Sequence, residues 1–166
     1  MSDLFDLRGG TMNLATAALT GLSGGATTVS TTGTPAYMLA GEIKASTNQS
    51  SGATPVLDIS TGEAFVPLAT GKGCVFVFGW DSSAPTVFSV AQGPVVNTAD
   101  VTNKSAVYDW PSIPSTFCPV AYVTISYVGS GTWIFGTSNW NATTTTIGTV
   151  KNVALLPTQP LTAASA

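Results

Sequence analysis

The sequence predicts an all-β protein, with a compact β-sandwich or β-barrel-like domain that follows an extended N-terminal arm. Apolar residues recur with a period of two in several segments, of which GCVFVFGW is the clearest, and this alternation is typical of strands. Short clusters rich in Gly, Pro, Ser and Thr separate these segments, as turns do. No stretch has the apolar spacing of a helix longer than a few turns, and 166 residues suit a single domain.

Residues 1–35 are predicted to form the extended arm. They are rich in Gly, Thr and Ala, and their apolar residues are thinly spaced. A short helix over residues 14–22 is the alternative, although the glycines at 21, 24 and 25 would end it. An arm that becomes ordered on a partner and a short helix both remain open at this point.

Residues 36–160 are predicted to form the β domain, and residues 161–166 a flexible C-terminal tail. The domain should begin with one half-buried strand, because alternate apolar residues from Tyr37 onward would share one face, namely Tyr37, Leu39, Ile43 and Ala45. A polar loop follows, and then a turn at Thr61-Gly62 between two short extended pieces.

The segment from 72 to 94 predicts a β-hairpin, since the polar DSSAP turn separates two apolar runs. Its first strand has large apolar residues on both faces. We therefore expect that strand to be central and covered on both sides, with Val75, Val77 and Gly79 opposite Phe76, Phe78 and Trp80.

A second hairpin is predicted from 120 to 140, where VAYVTISYV alternates, Gly-Ser-Gly reverses the chain and TWIFGTSNW returns. Between the two hairpins, DWPSIPSTFCP contains three prolines. Proline cannot donate a backbone hydrogen bond, so this stretch should cross between strands in an extended, non-helical form.

Charge is scarce, at 8% of residues compared with roughly 25% in typical soluble proteins. So few charges predict an obligate oligomer or a protein that docks on something larger. The net charge is −3, and the five cationic residues are scattered singly, so we expect no nucleic-acid partner. No apolar run is long enough to span a bilayer, and the start MSDLFDLRGG lacks the apolar region of a signal peptide, which predicts cytoplasmic synthesis and no membrane partner.

Catalysis is disfavoured because the chain contains no histidine, the usual base at neutral pH. Sites of the Ser-His-Asp and Cys-His types are thus excluded, and several of the carboxylates lie in turn-like contexts. We expect no enzyme activity, no cofactor and no metal site. Cys74 and Cys118 stand in apolar surroundings without a zinc-ligand spacing, and this favours two buried, reduced thiols.

The four tryptophans fall into two pairs according to the sequence pattern around them. Trp80 and Trp133 lie within strand patterns and should belong to the core. Trp110 and Trp140 lie in loop contexts, which leaves them as candidate glycan-binding residues.

Several segments occur in a distinctive order along the chain: RGG near the start, LATGKGCVFVFGW with VAQGPV, WPSIPSTFCPVAYVTI, WIFGTSNWNAT and VALLPTQP. From Arg8 to Pro160 it resembles virion structural proteins of tailed bacteriophages, of the head decoration, cement or head-fibre type. The resemblance implies a homotrimer on the capsid exterior, made in the host cytoplasm, which binds the major capsid protein and stabilises the head.

On this hypothesis the N-terminal arm lies along the capsid. Its few anchoring side chains are the candidate capsid-binding residues, namely Leu4, Phe5, Arg8 and Met12. The domain should then fold without residues 2–34. The alternative is a host-glycan or receptor-binding module of a phage head or tail fibre, in which the loops around Trp110 and Trp140 contact the ligand.

Overall fold

The computed structural model describes residues 11–14, 19–20, 28–34, 36–82, 84–140 and 144–160. Strands make up 44% and helix 4%, in several antiparallel sheets that pack together, which confirms the all-β prediction. The elements are β1 (Met12–Asn13), β2 (Leu19–Thr20), β3 (Thr28–Thr31), β4 (Ala36–Leu39), β5 (Glu42–Ala45), β6 (Gly52–Ala53), β7 (Leu68–Ala69), β8 (Lys72–Asp81), β9 (Ala84–Gln92), β10 (Val96–Asn97), α1 (Thr98–Thr102), β11 (Phe117–Tyr127), β12 (Thr132–Trp133), β13 (Thr145–Ile147) and β14 (Lys151–Asn152).

The central sheet is built on β8 and β11, which are the two longest strands. They pair antiparallel along almost their whole length, from Phe117↔Asp81 to Tyr127↔Lys72. β9 and β10 pair with the other edge of β8, while β13 and β14 pair with the other edge of β11. Both long strands are nearly continuous apolar runs because the sheet is covered on both faces.

The side chains on the two faces of β8 belong to two different clusters of buried apolar residues, as the alternation predicts. Phe76, Phe78 and Trp80 are fully buried in the larger of these clusters. Val75 and Val77 are fully buried in a smaller cluster with Tyr122 and Leu156 on the opposite face. The hairpin of β8 with β9 and the central position of β8 are therefore confirmed.

Phe135 is the hub of the larger cluster. Its ring centroid lies 4.7 Å from that of Phe65, 4.8 Å from that of Phe76 and 5.2 Å from that of Trp140. Trp133 is also buried here, as predicted. The chain segment that follows β12 thus closes one side of the core with aromatic rings.

A β-bulge interrupts the pairing of β8 with β11 between Pro119 and Ala121. Beside it, Gly79 leaves no room for a side chain. A Cβ at this position would collide with the backbone carbonyl oxygen of Cys118 and would lie 2.6 Å from Cζ of Phe117. Close approach of the two backbones therefore requires glycine here.

The hairpin predicted from 120 to 140 is wrong. Thr132–Trp133 pairs with Leu68–Ala69, and the place on β11 is taken by Thr145–Ile147. The turn after β11 does not return the chain alongside β11, and Trp133 instead lies opposite the buried Leu68 of β7. The short pieces around the Thr61-Gly62 turn are present, joined by the bridge Leu57↔Ala64.

The single strand predicted from Tyr37 to Ala45 is also wrong, because the chain reverses within it. β4 and β5 form a tight hairpin with Leu39 opposite Glu42. The two turn residues, Ala40 and Gly41, have φ values of 52° and 83°. Positive φ at both central residues is the type I′ geometry that suits a two-residue hairpin.

The described segments of residues 1–35 pack as part of the domain and not as a separate arm. β1 pairs with β4, and the backbone N–H of Asn13 donates to the carbonyl of Ala154 (3.0 Å). Leu19 and Val29 are buried in the core. Thinly spaced apolar residues suffice here because each strand is only two to four residues long. Residues 1–10 and the predicted tail, 161–166, lie outside the described residues.

Candidate interaction surface

The three-stranded sheet β1-β4-β5 has one face toward the core and one toward solvent. Tyr37 and Leu39 of β4 are buried in the larger cluster, and Asn13 of β1, opposite Tyr37, is buried with them. Because side chains alternate along a strand, the intervening residues of β4 point away from the core. Their partners in the register point the same way.

Two cross-strand rows form this outward side. The first is Met12 opposite Met38 opposite Ile43. In the second, the N–H of Leu14 donates to the carbonyl of Ala36 (2.9 Å), and Ala36 lies opposite Ala45. We call these six residues the outer face: Met12, Leu14, Ala36, Met38, Ile43 and Ala45.

All six positions of the outer face are apolar. The solvated side of an antiparallel sheet is ordinarily polar, so this composition is unusual. Ile43 is 76% exposed, the largest fraction among the large apolar side chains that the structure describes, and Leu14 is 45% exposed. Met12, Ala36 and Met38 are half-buried and Ala45 is exposed. Such a patch is typical of a surface that contacts another macromolecule.

Charge at this sheet is confined to β5. Lys44 Nζ lies 3.3 Å from Glu42 Oε2, and both side chains are on the side of the sheet opposite the outer face, since they pair with Tyr37 and Leu39. Glu42 is well exposed at the edge. An exposed pair of this kind contributes less than about 1 kcal/mol to folding, so it leaves both groups free to interact with a partner.

A second apolar strip runs along the Leu57↔Ala64 bridge, with Val56, Leu57 and Val66 each more than half exposed. Gln92 holds this strip to the central sheet. The N–H of Val66 donates to Gln92 Oε1 (2.7 Å), and Gln92 Nε2 donates to the carbonyl of Val66 (2.9 Å). The strip is therefore fixed at the sheet edge, although it is less extensive than the outer face.

The titratable groups with altered pKa values are all buried. Burial raises the pKa of the Cys74 thiol from 9.0 to about 12, with a smaller opposing effect from its hydrogen bond with Gln92. Burial also raises the pKa of Tyr37 and of Tyr108. A thiol with so high a pKa is a poor nucleophile at neutral pH. Cys74 and Cys118 are both buried and unbridged, as predicted.

Among the residues that the structure describes, no three Cys, Asp or Glu side chains form a group that could hold a metal ion. Within the same residues, no helix is long and apolar enough to cross a membrane. Asp58 is one of the carboxylates that hydrogen-bond within a turn, since its Oδ1 accepts from the N–H of Ser60 (2.8 Å).

No protein-family model, curated protein or solved structure matches this chain. Its function must therefore be argued from its own surface.

Of the four candidate capsid-binding residues, Leu4, Phe5 and Arg8 lie outside the described residues. Met12 is described, and it lies on β1 as part of the outer face. Its neighbours on that face are contributed by segments distant in sequence, which a linear arm would not have brought together.

The two candidate glycan-binding residues differ in how much of their ring is exposed to solvent. Trp140 is 1% exposed and its ring lies against Phe135, so it is a core residue and no longer a candidate for binding a sugar. Trp110 is half-buried, packs edge-on against Tyr122 with centroids 4.9 Å apart, and donates its Nε1–H to the carbonyl of Pro157 (2.9 Å). Only part of its ring surface remains available to a ligand.

Sequence reasoning missed the outer face because it placed Ile43 and Ala45 with Tyr37. The signal that could have revealed the face is Gly41, an isolated glycine within the alternating segment AYMLAGEIKA. An isolated glycine in a strand pattern marks a break or a turn.

Proposed function

We propose that this protein is a non-catalytic structural component of a tailed-bacteriophage virion, a decoration or cement protein that binds the exterior of the major capsid lattice. The observation that carries the proposal is the outer face, where six of six solvent-side positions are apolar. The low charge of the chain and the ordered segments that resemble head decoration proteins support the same role. No cofactor is needed for it.

The proposed mechanism is thermodynamic. The outer face packs against an apolar surface presented by assembled capsid subunits, and burial of the exposed parts of Ile43 and Leu14 contributes roughly 2–4 kcal/mol per copy. A ligand that binds the assembled lattice and not the free subunit stabilises the lattice by mass action. In a homotrimer, which the resemblance implies, several such contacts would add through effective concentration.

The test is binding to expanded shells that lack this protein, measured by co-sedimentation. We expect the unmodified chain to saturate the shells and to raise the temperature at which they break open. Leu14→Asp places a charge on the outer face and should abolish binding, while Val66→Asp on the second strip is the matched control and should bind normally. Equal binding by the two variants, or no binding by the unmodified chain, would contradict the proposal.

The alternative is a module that binds a host glycan or receptor. One observation favours it: Trp110 keeps part of its ring at the surface, whereas Trp80, Trp133 and Trp140 are buried. A glycan array would distinguish the two functions. Binding that is lost in Trp110→Ala and kept in Leu14→Asp would support the alternative, and a blank array would exclude it.

A further inference from the structure

β5 is the open edge of the three-stranded sheet, since β4 is its one neighbour among the strands that the structure describes. An open edge presents unpaired backbone groups to which another strand can add. Ile43, at the middle of this edge, has the most exposed large apolar side chain in the described part of the chain.

The hairpin geometry determines which backbone groups face outward. Leu39 lies opposite Glu42 across the two-residue turn at Ala40-Gly41. In a hairpin of this type the residues that flank the turn form a hydrogen-bonded pair, so the backbone N–H and C=O of Glu42 are directed toward β4. Backbone direction alternates along a strand, and therefore Lys44 also faces β4 whereas Ile43 and Ala45 face the open edge. The other edge of β4 agrees with this alternation, because the carbonyl of Ala36 accepts from the N–H of Leu14, the residue that follows β1.

We propose that β5 pairs antiparallel with β5 of a second copy of this chain, about a two-fold axis at Ile43. In this register Ile43 lies opposite Ile43 of the second copy, and each donates its N–H to the carbonyl of the other. Ala45 lies opposite Gly41. This contact needs no capsid, so it is independent of the proposed function.

The charges on β5 select this register. With Ile43 at the axis, Glu42 of each copy lies directly opposite Lys44 of the other, which gives two cross-strand ion pairs. An axis at Lys44 would place two lysines opposite each other, and an axis at Glu42 would place two carboxylates opposite each other. Like charges in directly opposite positions are destabilising.

Charged side chains turned toward the core side commonly protect an edge strand from pairing. Glu42 and Lys44 are on that side, next to Leu39 and Tyr37. Their opposite signs change the outcome, because two-fold symmetry brings each one to its complement. The edge is thus closed to most strands and complementary to itself, which is the property of an isologous interface.

The pairing would join two three-stranded sheets into one of six strands. Directly opposite residues in an antiparallel sheet have their side chains on the same face, so the two outer faces would form one continuous apolar surface. A threefold assembly of this protein would have to use other surfaces, since the β5 edge accommodates one partner.

The first test is a crosslink at the axis. A hydrogen-bonded antiparallel pair has Cα atoms about 5.5 Å apart, within the range that a disulfide bridges. Ile43→Cys should give a covalent dimer on incubation with oxidised glutathione, whose disulfide takes up the two electrons and two protons of the joined thiols. The native cysteines should not interfere because both are buried. Val66→Cys is the control, a similarly exposed position on another surface, and it should crosslink at least tenfold more slowly.

The second test reverses the charges. Glu42→Lys or Lys44→Glu turns both ion pairs into repulsive pairs and should weaken dimerisation about tenfold, measured by analytical ultracentrifugation. The double variant E42K/K44E restores complementary pairs in the same register and should recover the dimer. Glu63→Lys and Lys104→Glu give the same changes in net charge elsewhere and should have no effect.

Each result bears on the proposal directly. A dimer that crosslinks at position 43 and is rescued by the double reversal supports it. A monomer at all concentrations, an oligomer insensitive to the charge at 42 and 44, or equal crosslinking at positions 43 and 66 would overturn it. None of these variants alters Leu14, so failure here is distinguishable from failure to bind capsids.

Discussion

Phe135→Ala tests whether the aromatic cluster is the main source of stability. The side chain is 1% exposed, and rings from several parts of the chain surround it. Truncation of a buried Phe to Ala costs about 3–5 kcal/mol, and more where the neighbours cannot collapse into the cavity. Phe76 lies on the central strand β8 and cannot move inward without breaking its pairing. We therefore expect Phe135→Ala to lower the free energy of unfolding by about 4–5 kcal/mol, a large fraction of the 5–15 kcal/mol that is typical of a whole domain.

Urea unfolding followed by tryptophan fluorescence measures this loss. With a slope of about 2 kcal/mol per molar urea, the midpoint should fall by about 2 M. All samples should be at one protein concentration, because association stabilises the folded state by mass action. Val128→Ala is the control, since Val128 is 61% exposed and its truncation should change stability by less than about 0.5 kcal/mol. A midpoint shift below about 0.5 M for Phe135→Ala would refute the assignment of Phe135 as the hub of the core.

Three other predictions use the same assays. Gly79→Ala should cost about 2–4 kcal/mol, because the new Cβ meets the backbone carbonyl of Cys118, and an unchanged urea midpoint would contradict this close approach. The pKa of Cys74 is about 12 in the folded state and 9.0 in the unfolded state, so the unfolded state loses its proton first as the pH rises. The free energy of unfolding should therefore fall between pH 9 and 12 by on the order of 1 kcal/mol per pH unit. A Cys74→Ala variant whose free energy of unfolding falls equally steeply with pH would disprove this contribution. Deletion of residues 2–34 removes the strands β1, β2 and β3, whose side chains Asn13, Leu19 and Val29 are buried, and should prevent folding. A stably folded product, judged by circular dichroism and melting temperature, would show that these strands are dispensable.

The parts of the fold that sequence predicts well are those where local pattern and burial agree. Lys72–Asp81 is apolar on both faces, and only a central, doubly covered strand buries both. A polar turn follows this strand, and the next apolar segment along the chain is β9, so β9 is the one nearby strand with which β8 can form a hairpin. Period, composition and turn chemistry give the same answer there, so the prediction does not depend on distant contacts.

The predictions of strand pairing that proved wrong concern strands whose pairing partners are distant in sequence. Thr132–Trp133 has the pattern of a strand that would return along β11, yet it pairs with Leu68–Ala69, more than sixty residues earlier. A strand of two residues contains too few side chains to specify its partner. The same holds for Leu19–Thr20, which is held from the other end of the chain, where Asn152 Oδ1 accepts from the N–H of Leu19 (2.9 Å). Burial decides such pairings, and burial is a property of the whole fold.

The outer face shows how one turn changes the meaning of an alternating pattern. In an uninterrupted strand, residues 37, 39, 43 and 45 share a face, because each is an even number of positions from the others. A two-residue hairpin places Leu39 opposite Glu42 and Tyr37 opposite Lys44, so the odd-numbered residues of β4 share a face with the even-numbered residues of β5. Ile43 and Ala45 are thereby moved from the core side to the solvent side. Core packing does not require apolar residues there, so their presence needs another cause, and contact with a partner surface is the cause that we propose.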